Sequence, residues 1–170
     1  GQWPAAVVHR LVRAEANRDL DAYAACLAAD VEVWINGRLT ARSREAQRTA
    51  TEATLTALPD WERETLGVHA DGTTVGLRWR GSGTHSTPWG GVPASGNHVE
   101  FHGTSWCEVV DGLINRIQID MDMAGPLGQL ALGAPAGQAP DHQARAGAHQ
   151  DIGADAQTLE HAGPKALEHD

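Results

Sequence analysis

Apolar residues in the first third of the chain recur at the three- and four-residue spacing of amphipathic helices. Pro4 suits a first helical turn, where its missing N–H is not needed. Asp19 and Ser43 are typical N-cap residues, and Pro59 ends the last of these segments. The pattern predicts helices over residues 3–17, 20–30 and 44–58.

From residue 61 the apolar positions alternate with a period of two, which is typical of strands. Asp71-Gly72 and Asp111-Gly112 mark two hairpin turns, Asn36-Gly37 stops one early strand, and residues 87–96 form a Gly/Pro-rich loop. The predicted strands cover residues 31–35, 61–70, 74–84, 99–110 and 113–122. Three helices followed mainly by strands predict an α+β fold, with helices packed on one face of a curved antiparallel sheet.

Composition changes near residue 133. All six Trp, the single Tyr and the single Phe precede it, whereas the remainder is rich in Ala, Gly, Gln, His, Pro and Asp. Such a segment buries too little apolar surface to offset its chain entropy. We therefore expect one α+β domain over residues 1–133 and a disordered acidic tail over residues 134–170. The four histidines of the tail are too widely spaced to favour a metal site.

Charge and motif content exclude several classes of protein. The net charge of −9 disfavours a nucleic-acid partner. No apolar run is long enough for a membrane span, and no signal peptide is recognisable. Cys26 and Cys107 form no ligand cluster and predict reduced thiols in a cytoplasmic protein. Without a phosphate-binding loop, nucleophile elbow or zinc motif, we expect cofactor-free acid–base chemistry or ligand binding.

Two carboxylates near the last strand are candidate catalytic groups. Asp120 and Asp122 are two residues apart on that strand, so both project to one face. Carboxylates that share a face repel, and partial burial raises at least one pKa, as a general base near neutral pH requires. The alternative is that one or both cap the end of a strand in solvent.

Two histidines are further candidates. His85 directly follows the predicted strand 74–84, at a position where it could bind a substrate oxygen, orient the aspartate or shuttle a proton. The alternative is a histidine that anchors the following loop through backbone contacts. His102 shares a strand face with Glu100, Thr104 and Trp106, and this face could line a pocket or lie in solvent.

Tryptophans are numerous for a small domain. Trp34, Trp79, Trp89 and Trp106 lie on strands or in the loop and could wall a cavity for a flat apolar ligand. Trp61 and Trp79 are also suited to the core. Trp89 stands beside two glycines in the loop and is the better candidate for a pocket lid.

Several short segments together are similar to the SnoaL-like polyketide cyclases, also called ester cyclases, of the nuclear-transport-factor-2-like superfamily. The similarity covers residues 4–132. Its segments are Leu20-Asp21 with Asp30-Val31, Leu58-Pro59-Asp60, Gly83-Thr84-His85, Gly91 to Gly96, Asp111 to Ile114, and Asp122 followed by Leu127-Gly128-Gln129-Leu130.

The resemblance implies a cone-shaped fold with an internal pocket and no metal or organic cofactor. It implies that Asp122, seven residues before Gln129, is the general acid/base of an aldol-type ring closure, with His85 lining the pocket. Asp122 would take a proton from an activated carbon and return it to the new alkoxide. His85, with Asn36 or His102, would hydrogen-bond the enolate oxygen.

The resemblance also has departures. The family usually has Trp four residues before its aspartate, and Gln118 stands there in this chain. Pro126 interrupts the usual leucine pair, and the long tail is additional. We expect a cyclase for a polyketide-like small molecule in natural-product biosynthesis. The alternatives are a cofactor-free hydroxylase or isomerase, or a non-catalytic binding module.

The substrate-binding residues expected from strand and loop positions are Trp34, Asn36, Trp89, His102, Trp106, Gln118 and Asp120. An open sheet face predicts a homo-oligomer, a dimer or a tetramer.

Overall fold

The computed structural model describes residues 3–122. Its helices are α1 (Pro4–Ala16), α2 (Leu20–Ala25) and α3 (Arg44–Ala57), and its strands are β1 (Leu27–Ile35), β2 (Arg38–Ala41), β3 (Glu62–Asp71), β4 (Thr74–Thr84), β5 (His98–Val110) and β6 (Leu113–Met121). This is the predicted α+β fold. The Leu127–Leu130 segment and the expected acidic tail lie outside the described residues.

The helix starts follow the sequence signals. Pro4 occupies the first turn of α1. The Asp19 carboxylate accepts a hydrogen bond from the Ala22 N–H at 3.0 Å, and the Ser43 hydroxyl accepts one from the Ala46 N–H at 3.1 Å. Each cap satisfies an N–H that the helix itself leaves without a partner.

The second helix is shorter than predicted. It ends at Ala25, and β1 begins at Leu27 rather than at Val31. Leu27 is fully buried and pairs with Ile114 of β6, and the Ile114 N–H donates to the Cys26 carbonyl at 2.9 Å. Tertiary pairing therefore overrides the helix propensity of the alanines that follow.

A strand that the pattern did not predict, β2, pairs antiparallel with β1. Asn36 and Gly37 turn the chain with φ of 49° and 80°, as a two-residue hairpin turn with positive φ at both positions requires. The sheet order is β2-β1-β6-β5-β4-β3, and β1 runs parallel to β6. The curved sheet is therefore mixed and has six strands, not the wholly antiparallel sheet expected.

Gly81, Gly83 and Gly103 do not form bulges, because the pairing of β4 with β5 is continuous through all three. Two of them instead give room to tryptophan rings. A Cβ on Gly81 would lie 2.2 Å from Cη2 of Trp61, and one on Gly103 would lie 2.5 Å from Cζ2 of Trp79. Because glycine has no side chain, both tryptophan rings can lie flat along the sheet at these positions.

The core lies between the helices and the concave face of the sheet. Side chains alternate across the sheet, so Phe101, Ser105 and Cys107 of β5 face inward, with Ile117 and Ile119 of β6 beside them. The residues that alternate with them, such as His102, Thr104 and Trp106, face the outer side of the sheet. None of the described helices is long and apolar enough to cross a membrane.

Candidate active site

An internal cavity of about 320 Å³ lies between the helices and the concave face of the sheet. This volume is at the small end of the range for sites that bind small molecules. Aliphatic and aromatic side chains form most of the wall, including Trp61, Trp79, Trp89 and Phe101. The polar side chains in the wall are Glu15, Tyr23, Thr40, Gln47, Thr51, Thr54, Arg63 and Ser105.

An ion pair between α1 and β3 forms one part of the wall. Nη2 of Arg63 donates to Oε1 of Glu15 at 3.1 Å. Nε of Arg63 lies 2.9 Å from Oε2, within ion-pair distance but not aligned as a hydrogen bond. The guanidinium also lies 4.4 Å from the centre of the Trp79 ring, a cation–π contact.

A hydrogen-bonded group from α2 and α3 lies beside this ion pair. The Gln47 amide donates to the Tyr23 hydroxyl at 3.1 Å and lies 3.5 Å from the Thr51 hydroxyl. Burial raises the pKa of Tyr23, and the charge of Glu15 raises it further. The phenol therefore stays protonated at neutral pH and can donate a hydrogen bond.

The sheet side of the cavity is less polar. Nε1 of Trp79 donates to the Ser105 hydroxyl at 2.9 Å. Cys26 and Cys107 are both buried and unpaired, and burial raises the pKa of Cys107, which lines the cavity, to about 12. A thiol with that pKa is almost wholly protonated at neutral pH and is a poor nucleophile.

The loop between β4 and β5 brings Trp89 to the cavity. The Trp89 ring packs edge-on against Phe101, with centroids 5.7 Å apart and an interplanar angle of 79°. Trp89 and Val92 exchange two backbone hydrogen bonds of 2.9 Å, which close a tight loop around Gly90-Gly91. The loop thus places an aromatic side chain at the cavity, and its role as a lid stays a prediction.

His85 lies at the base of that loop and does not line the cavity. It is fully buried, and its Nδ1 accepts a hydrogen bond from the Ser95 N–H at 3.2 Å. Its backbone is bonded to Asn97 and Gly96, each at 2.8–2.9 Å. Burial lowers the pKa of His85, so the ring is neutral near pH 7. This geometry fits a histidine that anchors the loop carrying Trp89, whereas its catalytic role stays a prediction.

Asp122 and its predicted partners lie on the other side of the sheet. Asn36, His102, Asp120 and Asp122 border an open depression at the end of β6. The Asp122 N–H donates to the His102 carbonyl at 3.3 Å, and the Asn36 side chain accepts from the Met121 N–H at 2.9 Å. The structure therefore brings four of the predicted site residues together, outside the internal cavity.

Trp34, Trp106 and Gln118 also lie away from the cavity, because each alternates with inward-facing neighbours on its strand. Trp106 is 44 % exposed, and its ring lies over Gly76 of the adjacent strand. Trp34 lies 5.5 Å from the Arg116 guanidinium. Of the nine predicted site residues, Trp89 lines the cavity, and the roles of all nine stay predictions.

Sequence reasoning missed the polar groups of the cavity, although a signal for some of them exists. Glu15 lies four residues after Leu11, on the buried stripe of α1, and Gln47 and Thr51 repeat this spacing on α3. A polar residue on the apolar face of a helix must be paired or functional. Arg63, on a mostly exposed strand, has no comparable signal.

Within residues 3–122, no three His, Cys, Asp or Glu side chains lie close enough together to hold a metal ion.

A family model that describes SnoaL-like polyketide cyclases matches residues 5–130. The chain belongs to this family. Its nuclear-transport-factor-2-like fold recurs in solved structures with low sequence identity. IdmH of Streptomyces antibioticus, proposed to be a polyketide cyclase, is 24% identical with a TM-score of 0.66, and the match covers 76% of this chain and 99% of IdmH.

Two other similar structures carry different proposed or stated activities. AclR of Streptomyces galilaeus, proposed to be a hydroxylase, is 23% identical with a TM-score of 0.68, covering 76% of this chain and 96% of AclR. A LEH-like epoxide hydrolase of M. tuberculosis is 20% identical with a TM-score of 0.63, covering 76% and 90%. These likenesses show the fold alone. A comparison with curated proteins finds no match.

Proposed function

We propose that this protein is a cofactor-free polyketide cyclase that closes a ring in a small polyketide-like substrate held in the internal cavity. The supporting observation is the cavity itself. It combines an aromatic wall with a compact group of donors and acceptors, Glu15, Tyr23 and Arg63 among them. Such a combination suits a flat, mainly apolar molecule with a few oxygen functions.

An aldol-type closure needs a base, a donor for the enolate oxygen and exclusion of water. The base removes a proton from the carbon beside a carbonyl, that carbon attacks a second carbonyl, and the resulting alkoxide takes a proton back. Tyr23 and Arg63 are donors of the kind that stabilises an enolate oxygen, and the aromatic wall that includes Trp89 offers water few partners.

Two carboxylates are candidates for the base. Asp122 is the residue that the family resemblance implies, and it follows Met121, which lines the cavity. Its own side chain is exposed and borders the outer depression. Glu15 is the carboxylate in the cavity wall. We retain both as candidates, Asp122 because the family resemblance implies it and Glu15 because of its place in the cavity wall.

The test is turnover of aromatic poly-β-keto compounds and their methyl esters, with products identified by mass spectrometry. Ring closure by aldol addition leaves the mass unchanged and needs no oxygen, whereas a hydroxylase adds one oxygen atom and stops in anaerobic buffer. For whichever carboxylate is the base, the amide variant (Asp122→Asn or Glu15→Gln) should lose about 100-fold or more in kcat.

Full turnover in both amide variants would contradict the acid/base proposal. Ligand binding without turnover of any compound would favour the non-catalytic binding module.

A further inference from the structure

Glu15 and Arg63 are the charged residues among the described side chains that line the cavity. Their side chains are only 11% and 20% exposed. A buried ion pair contributes little net stability compared with apolar side chains of similar size. Its position in the wall of a cavity, with Arg63 held against the Trp79 ring, therefore points to a role toward a ligand.

We propose that Glu15 and Arg63 form a recognition pair for an uncharged oxygen function, a ketone, ester or hydroxyl, and that Glu15 rejects ligands bearing a carboxylate. This rests on the proposed function, since it concerns the same cavity. A guanidinium carries five N–H donors, more than its two contacts with Glu15 can use. Arg63 can therefore donate to a ligand oxygen while it stays paired.

The charge balance of the pair decides which ligands fit. Glu15 already neutralises Arg63 at 2.9 and 3.1 Å. A ligand carboxylate placed against Arg63 would bring a second anion close to Glu15, and like charges in a poorly solvated cavity repel strongly. A ligand ammonium placed against Glu15 would meet Arg63 in the same way. A neutral oxygen function avoids both penalties.

The neighbouring groups point to a hydrogen-bond acceptor on the ligand. The Tyr23 hydroxyl is held by Gln47 and remains protonated at neutral pH. Trp61 lines the cavity, and its buried Nε1 has no hydrogen-bond partner among the described residues. An indole N–H can only donate. Donors from Tyr23, Trp61 and Arg63 match a carbonyl oxygen better than a ligand cation.

The experiment compares two ligands with the same ring system, 2-acetonaphthone and 2-naphthoate, by equilibrium dialysis against the full chain at neutral pH. We expect the wild-type protein to bind the ketone at least about tenfold more tightly. In Glu15→Gln, Arg63 keeps an unneutralised charge, so the affinity for 2-naphthoate should rise about tenfold or more. The matched control is Glu64→Gln, which removes one of the carboxylate partners of Arg80 on the surface. It should leave the ratio of the two affinities unchanged.

Glu15→Gln leaves Arg63 as a buried cation without its partner, so a second variant tests the proposal in case Glu15→Gln does not fold. Glu15→Met with Arg63→Met replaces both charges by apolar side chains, a change that folded proteins tolerate. It should lose about tenfold in affinity for 2-acetonaphthone, because the charged donor is gone.

Equal binding of the two ligands by the wild-type protein, or an unchanged ratio in Glu15→Gln, would overturn the recognition pair and leave the proposed function standing. Unchanged ketone affinity in the double variant would overturn it too. Binding of neither ligand would overturn this proposal and remove the support for a small-molecule site in the cavity.

Discussion

Gly81→Ala is a sharp test of how the sheet and the cavity depend on each other. A Cβ at this position would lie 2.2 Å from Cη2, 2.5 Å from Cζ2 and 3.0 Å from Cζ3 of Trp61. Real Cβ atoms do not approach carbon so closely, so the ring must move. Trp61 is 4% exposed and packs edge-on against Phe101 at 5.8 Å, which leaves it little room to tilt.

The expected cost follows from two opposing effects. Added volume in a packed core destabilises by about 1–3 kcal/mol, and the lower entropy of the unfolded chain returns about 0.4–1 kcal/mol. We therefore expect Gly81→Ala to lower the free energy of unfolding by about 1–2 kcal/mol. Because Trp61 lines the cavity, affinity for 2-acetonaphthone should fall as well.

Gly67→Ala is the matched control. Gly67 also lies in a strand, its φ is outside the left-handed region, and a Cβ there would meet nothing within 4 Å. This variant should be unchanged or more stable by up to about 1 kcal/mol. Equal unfolding free energies for the two alanine variants, from urea titrations followed by far-UV circular dichroism, would refute the steric argument.

A double-mutant cycle assigns the clash to one ring. Phe at position 61 does not reach as far as Cη2 of Trp61, so Gly81→Ala should cost at least about 0.5 kcal/mol less in the Trp61→Phe background. An unchanged cost would place the strain elsewhere.

Three further predictions concern His85 at the base of the β4–β5 loop, Asp60 beside the end of β4, and Trp106 on the outer face of the sheet. Burial lowers the pKa of His85 below its ordinary 6.5, so below pH 6.5 the unfolded chain binds more protons than the folded one and the protein loses stability. The urea concentration at the midpoint of unfolding should therefore decrease as the pH is lowered below 6.5, and this decrease should be smaller in His85→Gln. Asp60 accepts two hydrogen bonds from Thr84, at 2.6 and 2.7 Å, which lower its pKa below 3.8. The stability that the ionised Asp60 contributes is present above pH 3.8 and is lost as the pH falls below it, so the urea midpoint of Asp60→Asn should depend less on pH in this acid range. Trp106→Glu should dissociate the expected homo-oligomer in light scattering, and a monomeric wild-type protein would make that expectation wrong.

Local signals predicted most of the fold. Caps at Asp19 and Ser43 and the turn at Asp111-Gly112 each act within a few residues, and all three are found where the pattern placed them. The other hairpin turn lies one residue later than predicted, at Gly72-Thr73, because Asp71 still pairs with Thr74. The end of α2 was mispredicted because it depends on the pairing of Leu27 with a strand more than 80 residues later. Such long-range pairing leaves no local trace.

The site was harder to predict than the fold because alternation along a strand does not say which face is inside. Gln118 and Asp120 share one face of β6, but Ile117, Ile119 and Met121 occupy the inner one. The Glu15–Arg63 pair joins residues 48 apart in the chain, so neither residue alone predicts it.

The two candidate bases, Asp122 and Glu15, differ in where the structure places their carboxylates relative to the cavity. Asp122 follows the last residue of β6, and its exposed side chain borders the outer depression and not the cavity. Glu15 is already in the cavity wall, where α1 holds it, but Arg63 contacts both of its carboxylate oxygens at 2.9 and 3.1 Å. If Glu15 is the base, Glu15→Gln should alter both ligand choice and rate, and Asp122→Asn neither. If Asp122 is the base, Asp122→Asn should alter the rate alone. A variant that changes rate without changing the ketone-to-carboxylate affinity ratio identifies the base as a group separate from the recognition pair.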